Sequence, residues 1–243
     1  MNRFKSIAFI SGLVALACVS PSCLDENDDN VALYRPTALV TVRPSADGTF
    51  SMQLDDVTTL LPANVKTSPF GAKEVRALVN YNDNGETGSV RSVHINWMDS
   101  IRTKNTVPSL GDENDLRYGK DPIEVVRDWV TVAEDGYLTL RIRTLWGPAN
   151  NRHYINLLTG VNPENPYELE LRHDAKGDVN GVTGDALIAF RLADLPAADA
   201  NPVKIKLNWM SFSGRKSAEF ELGRAHQNPA ATTDKSTHDD LVD

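Results

Sequence analysis

A twelve-residue stretch in the middle of the chain decides the fold class, and it reads Glu134-Asp135-Gly136-Tyr137-Leu138-Thr139-Leu140-Arg141-Ile142-Arg143-Thr144-Leu145. Asp135-Gly136 is a strong hairpin signal, because the favoured two-residue turns need positive φ and Asp-Gly pairs tolerate it. Beyond the turn, Leu138, Leu140 and Ile142 alternate with polar residues, so one face of the segment is apolar. The stretch therefore predicts a half-buried antiparallel hairpin.

The same alternation recurs on both sides of this hairpin. Five short strands and the absence of a long helical pattern predict a small barrel or sandwich near residues 35–110, within a first domain of residues 35–115. About seven further strands, separated by turns rich in Asn, Asp, Gly and Pro, predict a β-sandwich over residues 116–223. The polar, glycine-bearing run 111–115 is the predicted linker, and the aperiodic stretch 224–243 is predicted to be a disordered tail. The predicted fold class is all-β.

Residues 1–22 have the organisation of a bacterial secretory signal. Arg3 and Lys5 precede the mostly apolar stretch 6–19, which is too short to cross a bilayer as a permanent helix. Cleavage after residue 22 changes the net charge from −8 to −10, because Arg3 and Lys5 leave and no acidic residue does. We therefore expect an exported, acidic mature protein.

Both cysteines lie at the end of this signal, and none follows Cys23. A disulfide within the folded part is thereby excluded, and a terminal cysteine that accepts a lipid explains their position better. Cys18 and Cys23 each follow a small residue, but only Cys23 precedes an acidic run, residues 24–29. That arrangement resembles the lipoprotein signals of the Bacteroides group, in which the acidic cluster directs export to the cell surface. We expect lipidation at Cys23, with Cys18 as the competing position, and an acidic tether over residues 23–34.

The composition and the motifs argue against several classes of function. The net charge of −8 does not provide the positive footprint that nucleic-acid binding requires, so nucleic acid is not an expected partner. The sequence has neither a Gly-x-Ser-x-Gly elbow nor a phosphate-binding glycine loop, and its five histidines are scattered. We expect a protein without catalytic residues, metal or cofactor.

A few residues are candidates for chemistry or binding. Asp174–Asp185 holds carboxylates and glycines, but its spacing does not match a calcium loop, so a strand-connecting loop is the favoured interpretation. Glu168 and Glu170 share one strand face, where an ion-paired sheet surface is favoured over a catalytic pair. Trp146 precedes a Gly-Pro turn and is the candidate for ligand binding at a loop.

Two further groups of residues are assigned to the protein interior or its surface. Trp97 and Trp209 lie within apolar alternation and are expected in the core. His153 and His173 lie on or beside strands and are expected to face solvent or a strand neighbour. None of these four residues is assigned a ligand.

The chain resembles the NigD-like lipoproteins. The resemblance is carried by the Cys23 lipobox, by Ala77–Tyr81, by Ile95–Lys104, by Asp135–Leu140 and by Lys206–Trp209. It implies an N-terminal OB-like barrel followed by a C-terminal β-sandwich, and it supplies no catalytic residue to carry over.

These observations favour a non-catalytic lipoprotein anchored through Cys23 in the outer membrane and facing the cell exterior. It would act as a binding or accessory module for a carbohydrate or a surface protein. Two alternatives remain open. One is a carbohydrate-acting hydrolase with carboxylates in an interdomain groove, and the other is a structural partner in a surface assembly that pairs through a sheet edge.

Overall fold

The structure, a computed structural model, describes residues 37–148, 151–196, 203–222 and 241–243. The predicted signal, Cys18, Cys23 and the acidic tether lie outside these ranges and remain predictions. Across the described ranges, no helix is both long enough and apolar enough to cross a membrane.

The first five strands close into a barrel in the order β1-β2-β3-β5-β4, as predicted. All pairs are antiparallel except β3 with β5. The interior is filled by alternate side chains, among them Val40, Met52 and Val79. The strands are β1 (Ala38–Pro44), β2 (Phe50–Gln53), β3 (Thr59–Pro62), β4 (Val75–Asp83) and β5 (Val90–Ser100).

The remaining ten strands form two sheets that pack face to face, which confirms the predicted sandwich. One sheet has the order β6-β13-β10-β8 with β9 also paired to β10, and the other has the order β15-β14-β12-β11-β7. The core between them is aliphatic and aromatic. The strands are β6 (Arg102–Asn105), β7 (Val107–Pro108), β8 (Glu124–Val126), β9 (Val132–Glu134), β10 (Tyr137–Trp146), β11 (Tyr154–Thr159), β12 (Glu168–Asp174), β13 (Val182–Arg191), β14 (Val203–Ser211) and β15 (Gly214–Leu222).

The strand pairing places the domain boundary earlier than the predicted linker at 111–115. β6 follows Ile101 directly and already pairs with β13 of the sandwich. The supposed linker forms a 3-10 turn, Gly111–Glu113, and a short helix α1, Asn114–Tyr118. Polar, glycine-bearing composition marks a surface connection, but here that connection lies within one sandwich rather than between two domains.

The two domains meet through a dry apolar layer. Leu39 and Leu78 of the barrel and Leu187 and Ala189 of the sandwich are buried in one cluster, against which Trp97 packs. β1 is buried on both faces for this reason: its even-numbered positions face the barrel core and Leu39 faces the sandwich. The domains therefore share a continuous interior.

Arg76 lies at this interface with no exposed surface. Its guanidinium ion-pairs with Glu134 of the sandwich and donates to the Thr41 (2.9 Å) and Thr139 (3.3 Å) hydroxyls. It also lies 5.8 Å from the centre of the Tyr137 ring. A buried charge is tolerated only with such compensation, so the contact joins the two domains closely.

The predicted disorder of the tail is wrong for residues 241–243. His153 N–H donates to the Leu241 carbonyl (2.9 Å), Ile155 N–H to the Asp243 carbonyl (2.5 Å), and Asp243 N–H to the His153 carbonyl (2.7 Å). Val242 is buried in the sandwich core. These three residues therefore add a short parallel strand beside the start of β11, because backbone groups at an open edge accept any extended segment. Residues 224–240 lie outside the described ranges.

Candidate functional site at the end of the sandwich

Two histidines meet inside the sandwich where β11 begins and β12 ends. His173 continues the series Leu169, Leu171 on the inward face of β12, and the antiparallel register places it beside Ile155. His153 precedes β11 on the same inward side. Both are essentially inaccessible, at 0% and 1% exposure, so the prediction that they face solvent or a strand neighbour is wrong.

The two rings form a directed chain of hydrogen bonds. His173 Nδ1 lies 3.1 Å from the Pro122 carbonyl oxygen, and His173 Nε2 lies 2.9 Å from His153 Nδ1. A carbonyl oxygen only accepts, so His173 Nδ1 carries the proton and Nε2 of the neutral ring is an acceptor. His153 Nδ1 must then be the donor, and these contacts therefore fix the tautomers of both neutral rings.

The series of hydrogen bonds through the two rings ends at His153 Nε2, which can still accept a proton. His153 Nε2 lies 3.5 Å from Asp178 Oδ2, and neither atom has a hydrogen-bond partner among the described residues. In the neutral pair, His153 Nε2 presents a lone pair to the carboxylate. A proton placed there would give a charge-assisted hydrogen bond.

Burial sets the proton affinity of the pair. Burial lowers the pKa of His173 to about 4, and the neighbouring His153 acts in the same direction. Burial also lowers the pKa of His153, while Asp178 opposes that shift. The pair is therefore neutral at neutral pH and gains charge only on acidification.

Trp146 belongs to this cluster and is not available to a ligand, so its predicted role is wrong. Its ring stacks on His153 with centroids 4.3 Å apart, its Nε1–H donates to the Gly184 carbonyl (3.0 Å), and it is 3% exposed. The turn after it is packed tightly, because a Cβ at Gly147 would lie 1.8 Å from Asp178 Oδ1. The Gly-Pro signal indicated a turn correctly, but the Trp146 side chain before the turn faces inward.

Two cavities flank His173 and open this end of the sandwich to solvent. The larger, about 220 Å³, is lined by charged side chains together with Trp209 and Met210, and the smaller, about 120 Å³, is mainly apolar and includes Phe212 and Val179. Met210, Phe212 and Val179 are 45%, 50% and 37% exposed. Apolar side chains around cavities are typical of binding surfaces.

The charges around the larger cavity are already paired. Arg172 contacts both Asp115 (2.6 Å) and Glu170 (2.6 Å), and Glu170 also contacts Arg215 (3.2 Å). Glu168 pairs with Lys206 at 3.0 Å. These contacts agree with the interpretation of Glu168 and Glu170 as an ion-paired sheet face.

Trp209 is buried at 6% exposure and belongs to the sandwich core, as predicted. Its Nε1 is a buried donor without an acceptor among the described residues. Trp97 is only partly buried and packs on the domain interface.

Two of the three carboxylates of the loop 174–185 are ion-paired with basic side chains. Asp174 pairs with Lys176, Asp178 faces His153, and Asp185 is held by Arg141 and Arg143. This agrees with the predicted strand-connecting loop. In the part of the chain that the structure describes, no three His, Cys, Asp or Glu side chains form a group suited to a metal ion.

One groove between the domains is lined by more cationic than acidic side chains among the residues that the structure describes. Of the described residues that line this groove of about 560 Å³, Lys73, Arg102 and Lys104 are cationic and Asp243 is the one acid. Asp243 is engaged by Arg102 and, at 3.5 Å, by Arg152. The groove is therefore a cationic surface rather than a general acid–base site.

The comparisons with known proteins match the chain over both domains. The model of the NigD-like N-terminal OB domain matches residues 39–101, and that of the NigD-like C-terminal beta sandwich domain matches residues 105–222. The join between these matches agrees with the boundary seen in the strand pairing. Among proteins with a curated description, none matches the chain.

Several solved structures are similar. A protein of Parabacteroides distasonis, provisionally described as toxin-related, is 31% identical with a TM-score of 0.65, over 76% of this chain and 92% of that one. A NigD-like immunity protein of Bacteroides caccae is 22% identical with a TM-score of 0.52, over 77% and 91%. A protein of Bacteroides fragilis, provisionally described as a lipoprotein, is 14% identical with a TM-score of 0.52, over 79% and 98%. The last two share the fold alone.

Proposed function

Since this chain belongs to the NigD-like family, we propose that it is a non-catalytic binding or accessory lipoprotein. It is anchored in the outer membrane through Cys23, faces the cell exterior, and binds a surface protein or a carbohydrate with the open end of its sandwich. The signal pattern and the acidic run after Cys23 support the anchor and its orientation. The description of the Bacteroides fragilis relative as a lipoprotein is consistent with them.

One observation carries the binding role. Met210, Phe212 and Val179 are exposed around two cavities at one end of the molecule, where loops meet strand ends. Exposed apolar residues in such a cluster mark interaction sites more often than isolated ones do. The names of two relatives, immunity protein and toxin-related protein, are compatible with binding to another protein.

The chemistry of this end favours binding over catalysis. The imidazoles are inaccessible to a substrate, and the nearby carboxylates Glu170 and Asp115 are neutralised by Arg172. A general base must come within hydrogen-bonding distance of the proton that it removes. The histidine rings are buried and the carboxylates already contact Arg172, which supports binding rather than acid–base chemistry at this end.

Photo-crosslinking in living cells tests the binding face. A photoreactive amino acid placed at Phe212 is expected to yield a discrete adduct, with a surface protein or with envelope polysaccharide, which protease or glycosidase digestion distinguishes. The same amino acid at Val90, an exposed apolar residue of the barrel, is the matched control. Equal adducts from both positions, or none from Phe212, would contradict the proposed face.

Metabolic labelling with a fatty-acid probe tests the anchor separately. Cys23→Ala is expected to abolish labelling, and Cys18→Ala to leave it intact. Loss of label in the Cys18 variant alone would move the anchor to Cys18. Protease treatment of intact cells then reports orientation, because a protein facing the exterior is degraded while the cells remain whole.

A further inference from the structure

The edge of β11 is occupied by a strand that comes from the same chain. Residues 241–243 make three backbone hydrogen bonds to His153 and Ile155, bury Val242 in the core and pack Leu241 against it. An edge that binds a strand through its backbone accepts other extended segments of matching side-chain pattern, which is the basis of recognition by strand addition. The contact is small, and residues 223–240 connect it to β15.

The surroundings of this edge define what such a segment must look like. The central position points into the sandwich core, where Val242 is 2% exposed, so it requires an apolar residue. The next position holds Asp243 between Arg102 and Arg152, so it requires an acid. The pattern is therefore apolar followed by acidic.

The cationic groove continues from the Asp243 position. Lys73 and Lys104 line it and have no carboxylate partner among the described residues. Lys104 Nζ instead donates to the Ile155 carbonyl (2.8 Å) and to Asn156 Oδ1 (3.2 Å), both neutral acceptors. Burial, assisted by the positive charge of Arg102, lowers the pKa of Lys104 to about 8. Additional negative charge in the groove would stabilise the protonated form of this amine.

We propose that the β11 edge at His153–Ile155 and the adjoining cationic groove form a docking site for an extended peptide with an apolar residue followed by acidic residues. Residues 241–243 occupy its first positions as a resident, displaceable strand. The site lies apart from Met210 and Phe212 and does not depend on the binding role assigned to that face. Its partner is an acidic segment of another protein, which adds a strand to the sheet.

The covalent connection through residues 223–240 explains why residues 241–243 occupy the site when no competing peptide is present. A segment that is covalently joined to its own site competes at an effective concentration of the order of millimolar. A peptide supplied in trans must exceed that value or carry more contacts, and the acidic extension into the groove provides them. Weakening the resident strand should therefore open the site.

Fluorescence anisotropy on the full-length protein tests this site. The probe is a labelled peptide that repeats residues 238–243 and continues with two acidic residues. Val242→Asp places a carboxylate in the core position and should evict the resident strand, because an unpaired buried charge is costly. The variant is expected to bind the probe about tenfold or more tightly than wild type does. Adding Lys73→Gln and Lys104→Gln should lower that affinity severalfold and flatten its salt dependence.

The control peptide carries Asp at the position equivalent to Val242. A folded Val242→Asp protein that ignores the probe, binds it no better than wild type, or binds the control equally well would overturn the proposal. If that variant does not fold, amide hydrogen exchange of the wild-type protein tests the docking site instead. A displaceable strand predicts that the His153 and Ile155 amides exchange faster than the core amide of Leu171 and become protected when the probe is added. Exchange as slow as that of Leu171, or no added protection, would overturn it as well.

Discussion

The molecule contains two buried polar clusters that differ in how fully they are satisfied. At the domain interface, the guanidinium of Arg76 has an ionic partner in Glu134 and two hydroxyl acceptors. At the end of the sandwich, His153 and Asp178 face each other without a proton between them. Burial is the same in both places. The difference is that the Glu134 carboxylate faces a charged donor, whereas His153 Nε2 and Asp178 Oδ2 are two acceptors that face each other. It separates a permanent link between domains from a contact that responds to pH.

The largest expected effect is at the interface. Arg76→Ala removes the ionic partner of the buried Glu134 carboxylate, which typically costs about 3–5 kcal/mol of unfolding free energy. Replacing both partners, as in Arg76→Met with Glu134→Leu, should restore much of that loss, because apolar pairs of similar volume pack without a desolvation penalty. Urea denaturation measures both variants.

The interface also predicts that the two domains unfold in a single transition. The linker interpretation of residues 111–115 leads instead to separate fragments under limited proteolysis. A wild-type protein that unfolds in two steps, or an Arg76→Ala protein as stable as wild type, would show that the buried ion pair does not join the domains.

The imidazole cluster should show a pH dependence that the interface lacks. The folded-state pKa of His173 is about 4, below the ordinary value of 6.5, so the unfolded chain binds more protons between these values. Stability is therefore fully present above about pH 6.5 and is lost as the pH falls toward 4, by about 3 kcal/mol for this residue alone. His173→Gln is expected to flatten this part of the stability curve.

Urea denaturation at about pH 7 and about pH 5 measures this dependence. His94→Gln is the matched control, since His94 is exposed on the barrel. If the unfolding free energy of the two histidine variants changes equally between the two pH values, the pH dependence does not come from His173. Arg76→Ala should lower the unfolding free energy by the same amount at both pH values, because the contacts of Arg76 include no imidazole.

Gly147→Ala tests the packing that holds Asp178 in place. The new methyl group would lie 1.8 Å from Asp178 Oδ1, so the carboxylate or the turn must move. Overpacking of this kind costs about 1–3 kcal/mol, and displacement of Asp178 should lower the pKa of His153 further, because Asp178 currently raises it. Thermal unfolding together with histidine NMR titration measures both effects. An unchanged His153 titration would mean that Asp178 does not act on that ring.

The smallest expected effect is at Glu168. Hydrogen bonds from Asn162, Lys206 and Asn208 lower the pKa of its carboxyl to about 2. The ordinary value is 4.5, so this stabilisation is present above about pH 4.5 and disappears as the pH falls toward 2. Glu168→Gln should cost below about 1 kcal/mol at neutral pH, as for other surface ion pairs. If the Glu168 contribution to stability were lost between pH 6.5 and 4.5, it would not be separate from the His173 contribution.

The alternation of apolar and polar residues was enough to predict two all-β domains and the inward face of β10, whereas the barrel form of the first domain was implied by the family resemblance. It worked because a strand has period 2, so the residues that pack against a core can be identified without knowing what packs against them. Trp209 was placed correctly for the same reason. His173 stands at an inward position in the series Leu169, Leu171, and that periodicity was the signal that could have revealed its burial.

The composition of single segments was a weaker guide. A polar run at 111–115 predicted a linker, and a polar stretch at 224–243 predicted disorder throughout. β6 instead joins the sandwich through β13, which lies far along the chain, and residues 241–243 join it through β11. Pairing partners of this kind are chosen by which edges remain open after the sheets have formed.

The sequence by itself determined the order of strands and turns and the pattern of the core, because these depend on residues that are neighbours in the chain. Only the tertiary structure decided that His153, His173, Asp178 and Trp146 form one buried cluster, and that Arg76 meets Glu134. A polar side chain can be buried only when distant segments supply its partners, here the Pro122 carbonyl and the turn at Gly147. Those partners come from separate loops, so no local pattern contains them.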